Sequence, residues 1–412
     1  MWKLAEKFGL KYSDLPTMLW SVSTFLKVLC VNIDKRDKKR IPIFFYVLTV
    51  VGASSYSYVY IISMVWFVLV RYPQTDDLLA AVIVFSLGIS SVIGITKLIY
   101  ALIYINSIRD LVEGYLVCDF QVTQGSRFHT NLTKYLREVK KRALTFWIVI
   151  MSNGVAYATK PMILPGKHLA EDLYVIYGLE PMHESPNYEI AMALTTVGVL
   201  FACYTTANIT AFFITISGYN EAQTLALSEE LLLLWNDAKT FYQETQNQIY
   251  NPQDIVFNVK AKLINQFIKD RLKDIVKRHA VNINLLRRLD NVYRGAVATE
   301  FLILIVALIA ELLGGLANTY LELPFALCQV AMDCVIGQRL LDANDAFESA
   351  VYACNWENFD KSNMKTVLVI LQNSQKPFTL SAGGVAILNF VCLMSVLRSV
   401  YSAYMTLSTV LH

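Results

Sequence analysis

Along this chain, long stretches without a charged side chain alternate with short basic ones. Residues 41–70 run for thirty positions without a charge, 78–96 for nineteen, 143–159 for seventeen, 190–220 for thirty-one and 377–397 for twenty-one. A bilayer core takes about 20 apolar residues of helix, so each stretch predicts a membrane span. In the second the apolar pattern runs past Lys97 to Ile105, and in the last it resumes after Arg398 to Leu411. Two further stretches are long enough but carry acids: 297–317 holds Glu300 and Glu311, and 320–341 holds Glu322, Asp333 and Arg339. They span only if those charges lie near an end or face other helices. Read so, the chain is an all-α membrane protein with seven transmembrane helices.

Composition agrees. Of 412 residues 55% are hydrophobic and only 17% charged, too few charges to coat a soluble protein of this length. The distribution of the 36 Lys and Arg then sets the orientation. Nine lie in 1–40, seven in 106–142, eleven in 221–294 and four in 339–376, against Arg71, Lys160 and Lys167 in the alternate loops. The positive-inside rule predicts an intracellular N-terminus and, with seven spans, an extracellular C-terminus. Before the first span, residues 16–33 are apolar ahead of the basic run 35–40, the wrong order for a signal peptide; they read as an amphipathic interfacial helix.

The segments between spans carry helical spacing. Val259, Leu263 and Phe267, with Leu272, Ile275 and His279 beyond, predict a long amphipathic helix running toward span five, and 221–246 continues span four out of the membrane. Residues 361–376 give a third amphipathic piece. These are either surface helices or a cytoplasmic helical anchor that packs on other subunits. The predicted organisation is a cytoplasmic arm with interfacial helix (1–40), spans one to four with an outer loop at 160–187 (41–220), the anchor (221–293), spans five and six (294–341), a further anchor segment (342–378) and a last span (379–412). The outer loop, with four prolines, reads as a solvated loop or as a lid. The pair Gly383-Gly384 reads as a kink or a close packing point.

Candidate chemistry is sparse. No phosphate loop, dinucleotide fingerprint, nucleophile elbow, metal-ligand spacing or nucleic-acid patch is present, so neither an enzyme nor a cofactor protein is expected. The seven cysteines fall in no segment placed outside the cell, so no structural disulfide is expected. What stands out is the last span. Ser395, Ser399, Ser402, Thr406 and Thr409 are spaced four, three, four and three, within a wedge of about 80° on a helix, flanked by Arg398 and Val410. Such a stripe serves either close helix packing or a water-lined conduit. Asp333 and Arg398 both fall about 20 Å from the outer surface, where they can pair. Lys97 lies nearer the cytoplasmic end and is expected to snorkel.

A resemblance now enters. The chain carries a C-x-x-G (Cys334, Gly337), an A-x-Y-x-x-x-W (Ala350, Tyr352, Trp356), an L-x-x-x-Q-K-P (Leu371, Gln375, Lys376, Pro377) and the ending SVLRSVYSAYM from Ser395. In this order they resemble the C-terminal signature of insect odorant receptors. GLEPMHESPNYEIA (178–191) and GYNEAQTLALSEELLLLW (218–235) resemble a moth or butterfly branch. The resemblance implies a tuning receptor in the plasma membrane of an olfactory neuron dendrite. It implies an odorant-gated non-selective channel for monovalent and divalent cations, assembled as a heteromeric tetramer with a shared co-receptor. The last span would line the pore through Ser395, Ser399, Ser402, Thr406, Thr409 and Val410, with the gate at Thr406 and Val410. A small volatile ligand would bind in the outer halves of four spans. The candidates are Val82, Phe85, Ser86 and Ile89 from span two, and Ile150, Asn153, Gly154 and Tyr157 from span three. Span four adds Met192, Thr196 and Val199, and span six adds Phe325 and Gln329. The alternatives are a gustatory-type channel of the same superfamily, whose last-span TY…QF pattern is missing, and a G-protein-coupled receptor, which needs the opposite orientation.

Overall fold

The structure, a computed structural model, describes residues 8–37, 40–163, 165–248, 257–376 and 378–411. Pro377, His412 and the side chains of Val259 and Val410 lie outside the described part. The chain is helical almost throughout. The arm forms α1 (Leu15–Val28), N-capped by the Asp14 carboxylate accepting from the Thr17 amide. The membrane-length helices are α2 (Ile43–Thr75), α3 (Leu78–Ile103), α5 (Arg127–Ile163), α6 (Asn187–Gln248), α7 (Phe257–Leu313), α8 (Glu322–Tyr352) and α10 (Phe390–Leu411). Shorter helices are α4 (Ile105–Phe120) and α9 (Lys361–Ser374). Spans five and six are thus separate helices. By length and composition α2, α3, α6, α7 and α10 are apolar enough to cross a membrane. α8 is less apolar because it turns Glu322, Gln329 and Asp333 into the bundle, all under 5% exposed.

α6 is the central strut, packing against α1, α2, α3, α5, α7 and α8. Small residues let neighbours approach it: a Cβ on Gly218 would come within 2.2 Å of the Val139 side chain on α5. α6 and α7 leave the apolar region without a break, and ion pairs tie their polar halves together. Arg127 at the start of α5 reaches Glu230 at 2.8 Å and Asp237 at 2.6 Å on α6, and Arg271 on α7 reaches the same Glu230 at 2.9 Å. Arg142 reaches Glu221 at 2.5 Å.

The outer loop is packed. Leu169, Tyr174, Ile176 and Met182 are buried, the Tyr174 hydroxyl donates to the Val59 carbonyl, Arg71 pairs with Glu180 at 2.7 Å and Lys160 with Glu171 at 3.1 Å. The loop is therefore folded back onto α2 and α5 through these contacts while much of its length stays exposed.

The last span differs from expectation at its start. Before α10 lies a small antiparallel hairpin, β1 (Ser381–Ala382) and β2 (Ala386–Ile387). Gly383 and Gly384 form its turn, at φ 65° and 76°, where a side chain would strain the backbone. The pair marks a reversal of the chain, not a helix kink. The hairpin hangs on α7: Ser381 donates both its amide and its hydroxyl to Asp290 Oδ1, at 2.8 and 3.0 Å, and the Gly383 amide donates to the Arg294 carbonyl at 2.9 Å. α10 then leans on α7 and α8 through Val396 and Val400, the residues it buries.

Candidate functional site

Two hydroxyls four residues apart on α3, Ser86 and Ser90, meet acids from across the bundle. Ser86 Oγ lies 2.9 Å from Glu322 Oε2 on α8, and Ser90 Oγ lies 2.5 Å from Glu311 Oε1 on α7. Glu311 is 0% and Glu322 4% exposed. These pairings explain how two carboxyls fit inside an apolar bundle, where a polar group without a hydrogen bond costs several kcal/mol.

Beside them lies a small cavity, about 50 Å³, between α2, α3, α5, α6 and α8. Its wall includes Tyr60, Leu87, Ser90, Ser91, Asn153, Tyr157, Val199, Ala202, Cys203, Leu321, Glu322 and Phe325. Tyr60 enters from a π-helical stretch of α2, residues Ser57–Ser63, whose wider turn is held by Ser63 Oγ donating to the Tyr58 carbonyl five residues back, at 2.8 Å. Asn153 donates to the Leu321 carbonyl at 2.8 Å, which ties α5 to the start of α8. The outer loop closes over this end of the bundle through Tyr174 and Tyr58.

Of the predicted pocket residues, Asn153, Tyr157, Val199 and Phe325 share this cavity. Ser86 sits just behind it on Glu322. Gly154 packs on Cys203, where a Cβ would come within 2.9 Å of the thiol side chain, and Ile150 is fully buried in the core. Val82, Phe85 and Ile89 are half-buried on the flank of α3, and Met192 and Thr196 are half-buried on α6; none of the five is in the cavity wall. On α3 the inward face is Leu87, Ser90 and Ser91. A sequence signal marks it: in a membrane helix small and hydroxylic residues, here Ser86, Gly88, Ser90, Ser91 and Gly94, tend to face neighbouring helices, while bulky apolar ones can face lipid.

Gln329 lies deeper, in a second constellation. Lys97 on α3 is 8% exposed, so it does not snorkel. Its amine pairs with Glu300 of α7 at 2.8 Å and donates to Thr210 of α6 at 2.6 Å and to Gln329 of α8 at 2.9 Å. Asp333, 2% exposed, lines the same small cavity as Lys97 and Glu300. The expected pair of Asp333 with Arg398 is not formed: Arg398 is exposed on α10, while Asp333 points into the bundle toward Lys97 and Glu300. Depth along the helix axes was similar, but the two side chains leave their helices in different directions.

The hydroxyl stripe of α10 faces away from its own bundle. Ser395, Ser399, Ser402, Thr406 and Thr409 are all exposed, as are Tyr401 and Met405 beside them. Thr406 donates to the Ser402 carbonyl at 3.0 Å and Thr409 to the Thr406 carbonyl at 2.7 Å. Packing within this chain therefore does not account for the stripe.

Comparison with known proteins adds the following. The family model described as 7tm Odorant receptor matches residues 77–401. An odorant receptor coreceptor of Drosophila melanogaster is 24% identical over 160 residues, 36% of this chain and 33% of that protein. One of Anopheles gambiae is 25% identical over 150 residues, 34% of this chain and 31% of that protein. The match thus spans about a third of the length of these relatives. The fold resembles that of the insect olfactory receptor OR5 from Machilis hrabei, with a TM-score of 0.71 at 12% identity over 95% of this chain and 98% of that one. The same receptor in complex with eugenol gives 0.70 at 13% identity over 96% and 98%.

Proposed function

The chain belongs to the odorant receptor family, and we propose that it is the ligand-specific subunit of an odorant-gated cation channel. In this reading a small volatile organic ligand enters the cavity between α2, α3, α5, α6 and α8. Asn153, Tyr157, Val199 and Phe325 contact it from among the residues expected from sequence, joined by Tyr60 and Glu322. The eugenol complex of the Machilis receptor supports a small organic ligand, though at 13% identity it supports the fold and not the contacts. The cavity is smaller than such a ligand, so binding swings aside a ring of Tyr60, Tyr157 or Phe325.

One observation carries the channel reading: five hydroxyls on α10 are exposed on a face that this chain leaves uncovered. A membrane helix with a continuous hydroxyl face needs water or other subunits along it. Four such helices around an axis form a wetted conduit for cations. Partial likeness to co-receptors supports assembly with one of them. Thr406, at the expected gate, is a polar residue where dewetting needs an aliphatic one, so closure depends on the partner subunits. The N-terminus and the polar halves of α6 and α7 lie in the cytoplasm, and those helices with α9 form the inter-subunit anchor.

Cells expressing this chain with a co-receptor test the reading. A panel of volatiles is expected to evoke cation current that the co-receptor alone does not give. Ser399→Cys is expected to make that current sensitive to a water-borne thiol reagent. Current that ignores the reagent at Ser399→Cys and Ser402→Cys alike refutes a pore along this stripe.

A further inference from the structure

The cavity wall contains two polar atoms without a close hydrogen bond among the described residues. Glu322 is 4% exposed, and its Oε1 makes no hydrogen bond. Its other oxygen is only partly satisfied, because Ser86 Oγ, with a single hydrogen to give, lies 2.9 Å from both Glu322 Oε2 and the Ile83 carbonyl oxygen. Tyr157 is likewise 4% exposed, and its hydroxyl makes no close hydrogen bond; the Glu171 carboxylate that approaches it is already paired with Lys160 at 3.1 Å. Buried polar groups in proteins are almost always paired, so two orphans on one cavity point to something that enters it. Most other polar neighbours are committed: Asn153 Nδ2 to the Leu321 carbonyl, Ser90 to Glu311, Ser91 to the Gly88 carbonyl at 2.7 Å and the Tyr60 hydroxyl to the Thr195 carbonyl at 3.4 Å, which leaves the Cys203 thiol, a weak donor. The rest of the wall is apolar, with Leu87, Val199, Ala202 and Phe325.

We propose that the ligand of this receptor carries a hydroxyl group on a compact apolar skeleton, its hydrogen donated to Glu322 Oε1 and its oxygen accepting from Tyr157. The proposal rests on the cavity being the ligand site. A hydroxyl gives and takes a hydrogen bond at a single atom. An ether or ester satisfies Tyr157 and leaves Glu322 orphaned. A hydrocarbon satisfies neither, and an ammonium group has no acceptor for Tyr157. A site built to bond a hydroxyl rejects analogues that lack it, because its own polar atoms stay buried and unpaired.

The test uses matched triples: phenol, anisole and toluene, and 1-octanol, methyl octyl ether and nonane. Binding is read as thermal stabilisation of the purified full chain, and current is recorded in cells that also express a co-receptor. The hydroxyl member of a triple is expected to act at a concentration about tenfold or more below its ether. Glu322→Leu is expected to erase that advantage while the toluene and nonane responses persist. Where Glu322→Leu fails to fold, the isosteric Glu322→Gln, whose amide can donate, is expected to bring the ether up to the alcohol. Tyr157→Phe is expected to remove part of the advantage. Ethers equal to alcohols on the unaltered chain, or a hydroxyl advantage that survives at Glu322→Leu or unchanged at Glu322→Gln, overturn the proposal. Binding with hydroxyl preference but no current overturns the channel reading and leaves this one standing. Current without hydroxyl preference does the reverse, and no binding by any member overturns both.

Discussion

Replacing Lys97 with methionine probes the polar centre of the bundle. The side chain is nearly the same length, so packing is kept and the charge is lost. The amine bridges three helices, pairing with Glu300 at 2.8 Å and donating to Thr210 and Gln329 at 2.6 and 2.9 Å. Without it Glu300, 4% exposed, has no cation, and Asp333 faces another acid across the same small cavity. Removing one partner of a buried ion pair costs about 3–5 kcal/mol, because the remaining charge is stranded. Two lost hydrogen bonds add ~1 kcal/mol each. A loss of that size is a large fraction of the stability of an ordinary domain. Surface expression and the melting temperature of the solubilised chain are expected to fall sharply. The double change Lys97→Met with Glu300→Gln is expected to recover much of the loss, since no unpaired charge is left by that pair. Arg398→Ala, on an exposed residue of α10, is expected to leave the melting temperature of the isolated chain within a degree or so. If Lys97→Met melts like the unaltered chain, or Arg398→Ala costs as much, the centre does not hold α3, α6, α7 and α8 together in this way.

Three other outcomes follow from the geometry. Gly337→Ala would set a Cβ 2.0 Å from the backbone carbonyl of Leu388, which cannot swing aside, so α8 and the segment entering α10 must separate; a loss of about 1–3 kcal/mol is expected in thermal unfolding, with ligand-evoked current lost as well. Asp290→Ala removes the acceptor for both Ser381 bonds and is expected to cost ~1–2 kcal/mol and to speed amide exchange in the 381–387 hairpin. His279, stacked on Phe347 at 4.3 Å between ring centres, is pushed down by burial from 6.5 to about 4. The folded chain thus binds fewer protons than the unfolded one between those values, so stability falls as pH drops from 6.5 toward 4, by up to about 3 kcal/mol. His279→Gln is expected to flatten that part of the melting-temperature profile, and an unchanged slope would exclude this group as its source.

The helical architecture was legible because membrane spans follow from runs of apolar residues, and the long extensions of α6 and α7 from their spacing. Side-chain direction was not. Lys97 looked like a snorkelling residue because only its depth could be counted; its burial depends on Glu300, a residue 203 positions away. Asp333 and Arg398 matched in depth and differ in facing. Four of the thirteen candidate pocket residues, Asn153, Tyr157, Val199 and Phe325, come together on one cavity from three helices, whereas Val82, Phe85 and Ile89 lie on the half-buried flank of α3. Glu311 and Glu322 were visible as charges that needed company, but their partners Ser90 and Ser86 come from a distant helix. The hairpin before α10 escaped because its strands are two residues each and carry no periodicity. The C-x-x-G resemblance now has a physical reason at its glycine, where the Leu388 carbonyl leaves no room for a methyl group.

The unbroken run of α6 has a mechanical meaning. At 62 residues it is a rod about 93 Å long, with the cavity residues Val199, Ala202 and Cys203 in its first third and its far end beyond the apolar zone. A rod pivoting at its midpoint by a single degree carries each tip by roughly 0.8 Å, the scale on which a packed methyl loses its seat. A small push at the top is therefore delivered to the bottom as leverage, with no joint in between to absorb it.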